Sequence, residues 1–191
     1  VEAGIRFYLD VLDEERTRLT DLMREHGYLY FNRDLLQYVA DTSAGDHQVD
    51  LMLHVERPLS RGQRGLKGTP EGTVYTLEDI SLNMAQRPLY GGTPLPTDTV
   101  GYKGFDFIYT GDRPKYRPKA LSSNLLIKPQ TPFSQTANDR TYRRLTNLRV
   151  FDRVDIAYDT SSVHTPNAAD CLISVMPSHP PPLSFAGFLT P

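Results

Sequence analysis

The chain has almost no cysteine. Among its 191 residues there is one, Cys171, which can neither close an internal disulfide nor build a cysteine zinc cluster. Long apolar runs are missing too, and no stretch approaches the length of a membrane-spanning helix. The opening VEAGIRFYLD lacks the basic-then-apolar build of a secretory signal, so any signal or anchor is expected outside this stretch. Histidine is sparse: His26, His47, His54, His164 and His179 stand in unrelated positions, with no pair at helical metal-ligand spacing. A formal charge of −2 gives no global reason to expect a nucleic-acid partner.

What is present is the composition of a soluble globular protein, 39% hydrophobic and 23% charged. The length suits one domain or two small ones. The charge is unevenly spread. Residues 113 to 153 hold ten Lys or Arg against Asp139 and Asp152, so this segment carries +8 and the remainder −10. Either a solvated helix with its loops or a surface that meets something anionic accounts for it.

Two stretches repeat a pattern. ADTSAGDHQVDLMLHVERP (40–58) and YDTSSVHTPNAADCLISVMP (158–177) both read Asp-Thr-Ser, a polar gap, then an Asp that opens an apolar run ending in Val before a Pro. Upstream of the first, Asp13 is placed to cap a helix to His26, with Leu19, Leu22 and Met23 on one face and Gly27 as its stop. Strand-like Tyr28–Phe31 and Leu35–Val39 follow, then Val49–Val55, whose alternation puts Val49, Leu51, Leu53 and Val55 on one face. Upstream of the second, Ser134 is placed to cap a helix with Ala137, Thr141, Leu145 and Leu148 on one face. Val154, Ile156 and Tyr158 alternate along one strand, and Cys171, Ile173 and Val175 along the next. Each copy is a helix packed on a β-hairpin, and Leu145, Leu148, Ile156, Ile173 and Val175 are expected to share a core.

The match extends to VEAGIRF (1–7) against IKPQTPF (127–133). In the second copy a further short helix precedes it, with Pro118 at its first position and Leu121, Leu125 and Ile127 apolar. Before that come strand-like Thr73–Met84 and Lys103–Thr110. The second copy is thus a complete strand–helix–helix–strand–strand unit, whereas the first starts at the bend between its helices, as expected of a segment from a longer protein. RPLSRGQRGLKGTPEG forms a linker and QRPLYGGTPLPTDTVGY a Gly/Pro-rich insertion.

LDEERTRLTDLMREHGYLYFNRD and IKPQTPFSQTANDRTYRRLTNLRVFDRVDIAYDT, set in this order of elements, resemble POTRA domains of BamA/TamA-type outer-membrane assembly proteins. The pattern T-Y-x-x-L-x-x-L-x-x-F at Thr141–Phe151 and DCLISVMP at 170–177 are most similar to the TamA-like branch of Bacteroidota (TamL). The resemblance implies an α+β fold: tandem POTRA-like β-α-α-β-β units, each a three-stranded mixed sheet with two helices on one face. The first unit, residues 1–57, would lack its first strand and helix. A linker at 58–72, a complete unit at 73–178 with an insertion near 85–118, and a tail at 179–191 towards a β-barrel complete the expected order.

Side-chain chemistry adds no competing site. Asp50 and Asp170 stand at equivalent strand starts in separate units, which suits turns better than acid–base catalysis. Cys171 falls on an apolar strand face with no basic partner. GQRG at 62–65 lacks the flanking helices of a nucleic-acid loop, and RGLKG the setting of a phosphate loop. No catalytic residue, metal site or cofactor is expected, and an enzyme would need a site assembled across both units.

The resemblance implies a periplasmic arm, on the outer membrane of a Gram-negative bacterium, that binds or orients client proteins or an assembly partner beside its own C-terminal β-barrel. Strand addition to a sheet edge suits it, because main-chain hydrogen bonds demand no particular side chains. Asp170–Met176 is expected beside the first strand, leaving Val150 to Tyr158 at the edge, with Val150, Asp152, Val154, Asp155, Ile156 and Tyr158 as partner-binding candidates. The alternative is a spacer, or a docking module for one dedicated partner, with Arg140, Arg143, Arg144 and Arg149 as a basic surface that could meet anionic lipid headgroups.

Overall fold

A computed structural model describes residues 6, 8–43, 45, 47–55, 70–85, 96–160 and 165–178. The GQRG segment, His164, His179, the core of the expected insertion and the tail at 179–191 lie outside the described residues, as does all of the linker except the 3-10 turn Pro70–Gly72. The first helix, α1, spans Leu9–Glu25 and starts four residues before the expected cap. Its N-cap is Tyr8, in extended conformation and without a side-chain cap bond. Asp13 lies in the second turn instead, where its carboxylate meets Arg16 at 3.0 Å and Arg33 at 3.4 Å. Leu19 and Met23 pack on buried Phe31, Leu35 and Leu36, but Leu22 is exposed. Tyr28–Phe31 is a turn rather than a strand, closed by the Phe31 N–H donating to the Tyr28 carbonyl at 3.2 Å.

The repeated pattern folds twice into the same hairpin. Strands β1 (Leu36–Asp41) and β2 (Asp50–Val55) pair antiparallel with Leu36 opposite Val55, Tyr38 opposite Leu53 and Asp41 opposite Asp50. Strands β6 (Phe151–Asp159) and β7 (Ala168–Pro177), numbered after the elements described next, pair with Val154 opposite Val175, Ile156 opposite Ile173 and Asp159 opposite Asp170. Position by position, the register is the same.

The second unit also contains β3 (Thr76–Asn83), β4 (Thr97–Tyr102), β5 (Phe105–Thr110), α2 (Pro118–Ser122) and α3 (Gln135–Asn147). The expected three-stranded mixed core is present as β3-β7-β6, with β3 parallel to β7. Two further strands extend it on the other side, giving the order β4-β5-β3-β7-β6. They come from the stretch expected as an insertion: β4 turns into β5 through Lys103 and Gly104, both at positive φ (55° and 78°), as a two-residue primed hairpin requires. β4 was hidden by the Gly- and Pro-rich residues before it.

One face of this sheet is dry. Leu82, Phe107, Cys171 and Ile173 meet Leu121, Ile127 and Leu145 in a single cluster from which water is almost wholly excluded. Each such large side chain stabilises by about 1.5–3 kcal/mol relative to staying exposed. Ser134 caps α3, its hydroxyl accepting the Ala137 N–H at 3.0 Å. Thr141 is fully buried on the helix face, and its hydroxyl oxygen accepts the N–H groups of Leu126 (2.9 Å) and Ile127 (3.3 Å). It thereby pins the α2–α3 connection to α3. Leu148 is a correction: it forms the C-cap, 36% exposed, outside the core it was expected to join.

The two units are joined through the C-terminal end of α1. Gly27 adopts φ +98°, and its carbonyl accepts the Tyr75 N–H at 2.9 Å. Leu29 enters the core of the second unit, and Tyr30 meets Tyr75 edge to face at 5.4 Å. Arg24 donates to the Gln135 side-chain carbonyl at 2.8 Å and lies over the Phe133 ring.

Candidate functional site

Among the described residues β6 is one edge of the five-stranded sheet and β4 the other. The pleat sorts the candidate partner-binding residues. Val154, Ile156 and Tyr158 point inward and pack against the core, partly buried. The Tyr158 hydroxyl donates to the Asn138 side chain on α3 at 2.9 Å, and its ring meets Phe133 edge to face. Burial drives the Tyr158 phenol well above its ordinary pKa, so it stays neutral. Asp155 points outward with Arg153 and Ala157, all exposed. Asp152 sits at an irregularity between Phe151 and Arg153, where the strand register shifts. Val150 precedes the strand, and its carbonyl already accepts the Tyr116 hydroxyl at 3.1 Å and the Ser178 N–H at 2.9 Å.

An edge strand presents main-chain groups on its outer side every second residue. On β6 those groups are flanked by exposed Asp152, Arg153 and Asp155, charges that discourage indiscriminate pairing. β4 is an edge that the sequence pattern did not signal. It carries Thr97, Asp98 and Thr99, and Asp98 accepts the Tyr109 hydroxyl at 3.0 Å.

The candidate basic residues do not form one helix face. Arg140, Arg143 and Arg144 lie on α3 and are exposed, and Arg144 reaches the Ser123 carbonyl at 3.3 Å. Arg149, expected to project from the same helix, lies beyond its end at φ +55°, its N–H donating to the Thr146 carbonyl at 3.1 Å. The left-handed conformation there usually falls to glycine. Arg113, Lys115 and Arg117, part of the +8 stretch, are brought to this end by Tyr116. Besides its bond to Val150, the Tyr116 ring meets Phe151 edge to face at 5.2 Å.

Cys171 is fully buried beneath Tyr158, its opposite number on β6. Burial pushes its thiol up to about 12, the reverse of what a nucleophile requires.

The arrangement is an α+β module with a mixed sheet, helices on one face and β6 as an edge strand among the described residues. In fold it is similar to the crystal structure of BamA from Haemophilus ducreyi lacking POTRA domains 1–3, with a TM-score of 0.57 at 12% identity over 93% of this chain and 25% of that one. Weaker likenesses reach POTRA1–3 of the periplasmic domain of Omp85 from Anabaena (TM-score 0.41, 17% identity, 92% of this chain and 54% of that one). A third is the N-terminal domain of Omp85 from Thermosynechococcus elongatus (TM-score 0.41, 15% identity, 91% and 55%). The first of these carries the comparison, and at such identity it shows the fold alone. The chain spans about a quarter of the length of that BamA chain. No family model and no curated protein matches the sequence.

Proposed function

We propose that the chain is a periplasmic POTRA arm of an outer-membrane protein assembly or translocation factor, of the TamA-like (TamL) branch, that binds or orients client or partner proteins by accepting a strand at β6. The observation that carries this proposal is the position of β6 at the sheet edge, its inner face tied to α3 and its outer side lined by charge, with no further strand beside it among the described residues. Main-chain pairing there would take clients of many sequences, as a general assembly factor must. The proposal places the protein at the outer membrane of a Gram-negative bacterium, with its own β-barrel in the full-length product. A photo-crosslinking side chain at Asp155 or Ala157 should trap unfolded outer-membrane proteins, and the same group at the buried Leu145 should not. Equal trapping at both positions, or none at either, would refute strand capture at β6. The second reading, a spacer or dedicated docking module with a basic surface, is favoured by exposed Arg140, Arg143 and Arg144 on α3, none of which forms an ion pair among the described residues.

The first unit fits a copy of the second without its first strand and helix. In the second unit β3 lies along the outer side of β7, where the Asp170 side chain accepts the Asp79 N–H at 3.3 Å. Asp50 holds the same register on β2, beside an edge with no strand among the described residues, and Leu53 and Val55 are 39% and 47% exposed. A peptide of residues 74–84, which contains β3, should slow hydrogen exchange at the Leu51, Leu53 and Val55 amides. Unchanged exchange at saturating peptide would refute the open position.

A further inference from the structure

We propose that the end of the second unit where β3, β5 and β7 finish is a docking face for anionic phospholipid headgroups. This deepens the basic-surface reading and does not depend on strand capture at β6. Three segments converge there. The loop after β5 supplies Arg113, Lys115 and Arg117, the C-terminal half of α3 supplies Arg143 and Arg144, and the turn after it supplies Arg149. The bond from the Tyr116 hydroxyl to the Val150 carbonyl ties the loop to the turn. The contact from Arg144 to the Ser123 carbonyl ties α3 to the end of α2.

All six cations are exposed, and no described carboxylate lies within 4.0 Å of any of them. Asp112 and Asp152 are the acidic residues adjoining these segments in sequence. The C-terminal dipole of α3 accounts for cations in its last turn. It does not account for a separate loop and a left-handed turn that bring four more.

The apolar side chains interleaved with the charge select a bilayer over an acidic protein. Tyr142 (46% exposed) precedes Arg143, and Leu148 precedes Arg149. Met176 (53% exposed) lies opposite Arg153 across the β6–β7 pair. Long cationic stems beside exposed Tyr, Leu and Met suit the boundary between headgroups and acyl chains. A dedicated acidic partner calls for cations fixed in direction. Among the described residues only Arg144, by the Ser123 carbonyl, and Lys115, over the Tyr116 ring at 5.5 Å, have a neighbour that fixes them.

The test is co-sedimentation of the 191-residue chain with vesicles of phosphatidylcholine, with and without phosphatidylglycerol. Binding is expected only with phosphatidylglycerol, and it should vanish near 1 M salt, where the Debye length falls to about 3 Å. Arg113→Glu, Arg143→Glu and Arg149→Glu together should lower it by about a hundredfold or more, given the attraction each basic group has for an anionic surface. Lys128→Glu, away from this end, should leave it nearly unchanged, and matching circular dichroism melts keep the comparison to folded protein. Failure to bind phosphatidylglycerol vesicles at low salt, or binding indifferent to salt or to the triple reversal, would overturn the proposal. Binding of polyglutamate without binding of vesicles would overturn it in favour of an acidic protein partner. Photo-crosslinking at β6 is unaffected by any of these outcomes.

Discussion

Glu25, the last residue of α1, caps the start of α3: its carboxylate accepts the Thr136 N–H and the Ser134 hydroxyl, each at 2.9 Å. A helix of one unit thus closes the N-terminus of a helix in the other, where the dipole of α3 also favours negative charge. Burial alone pushes this carboxyl up, but the hydrogen bonds from Thr136 and Ser134, with the nearby His26, hold it below its ordinary value. A depressed carboxyl contributes stability above its unfolded pKa, about 4.3, and loses it as pH falls through the folded value. Glu25→Gln should therefore flatten the acid limb of the melting profile below about pH 4.3. Glu25→Ala should speed exchange of the Thr136 amide at neutral pH. An unchanged Thr136 exchange rate would show that the cap does not hold the joint.

Leu145 and Leu148 were expected to act alike and do not. Leu145 is fully buried between α3 and the sheet, so Leu145→Ala should destabilise by about 2–5 kcal/mol in denaturant unfolding. Leu148, at the exposed C-cap, should cost no more than about 0.5 kcal/mol on the same change. Comparable losses at both sites would mean that α3 packs on a different face.

The contrast shows where the sequence was readable. Spacing alone identified Ala137, Thr141 and Leu145 as one face, because helical periodicity holds as long as the helix does. It could not show that α3 ends at Asn147, since Leu148 and Arg149 continue the apparent pattern and no glycine marks the stop. The same limit misplaced Arg149 on the helix. The hairpins were legible as strand–turn–strand units because the Asp-Thr-Ser turn recurs with the alternation that follows it, and the structure adds their shared register. The strand β4 was not, because Lys103–Gly104 is a weak turn signal beside the Gly- and Pro-rich residues upstream. The edge at β6 could be reasoned from topology. The basic end could not, because Tyr116 gathers its segments through contacts that no spacing encodes.

Cys171 should be inert in the folded protein. With its thiol pushed up to about 12 by burial, aromatic disulfide reagents at pH 8 should label it only after denaturation. Its unfolded pKa is about 8.5, so the buried neutral thiol contributes stability that is fully present below that value. The contribution is lost as pH rises through about 12. Tyr158, raised by burial as well, acts in the same direction. Cys171→Ala should soften the alkaline fall in melting temperature, and rapid labelling of native protein would show that the β6–β7 pair opens readily.

Strand capture at β6 makes a positional demand that side-chain mutations cannot test. Along an edge strand successive N–H groups alternate between the neighbour, here β7, and the open side. Proline removes one N–H and fixes φ near −65°, which an edge tolerates only where the N–H points outward. Of Asp155→Pro and Ile156→Pro, one should therefore unfold the β6–β7 pair and the other should leave the melting profile close to that of the unchanged protein. Ile156 also packs against the core, so Ile156→Ala serves as the control for loss of its side chain. The tolerated proline should abolish crosslinking of unfolded outer-membrane proteins from position 157, since it blocks the ladder, and Asp155→Asn serves as the control for loss of that charge. If crosslinking from that position persists at full strength in the folded variant, clients do not pair with this edge.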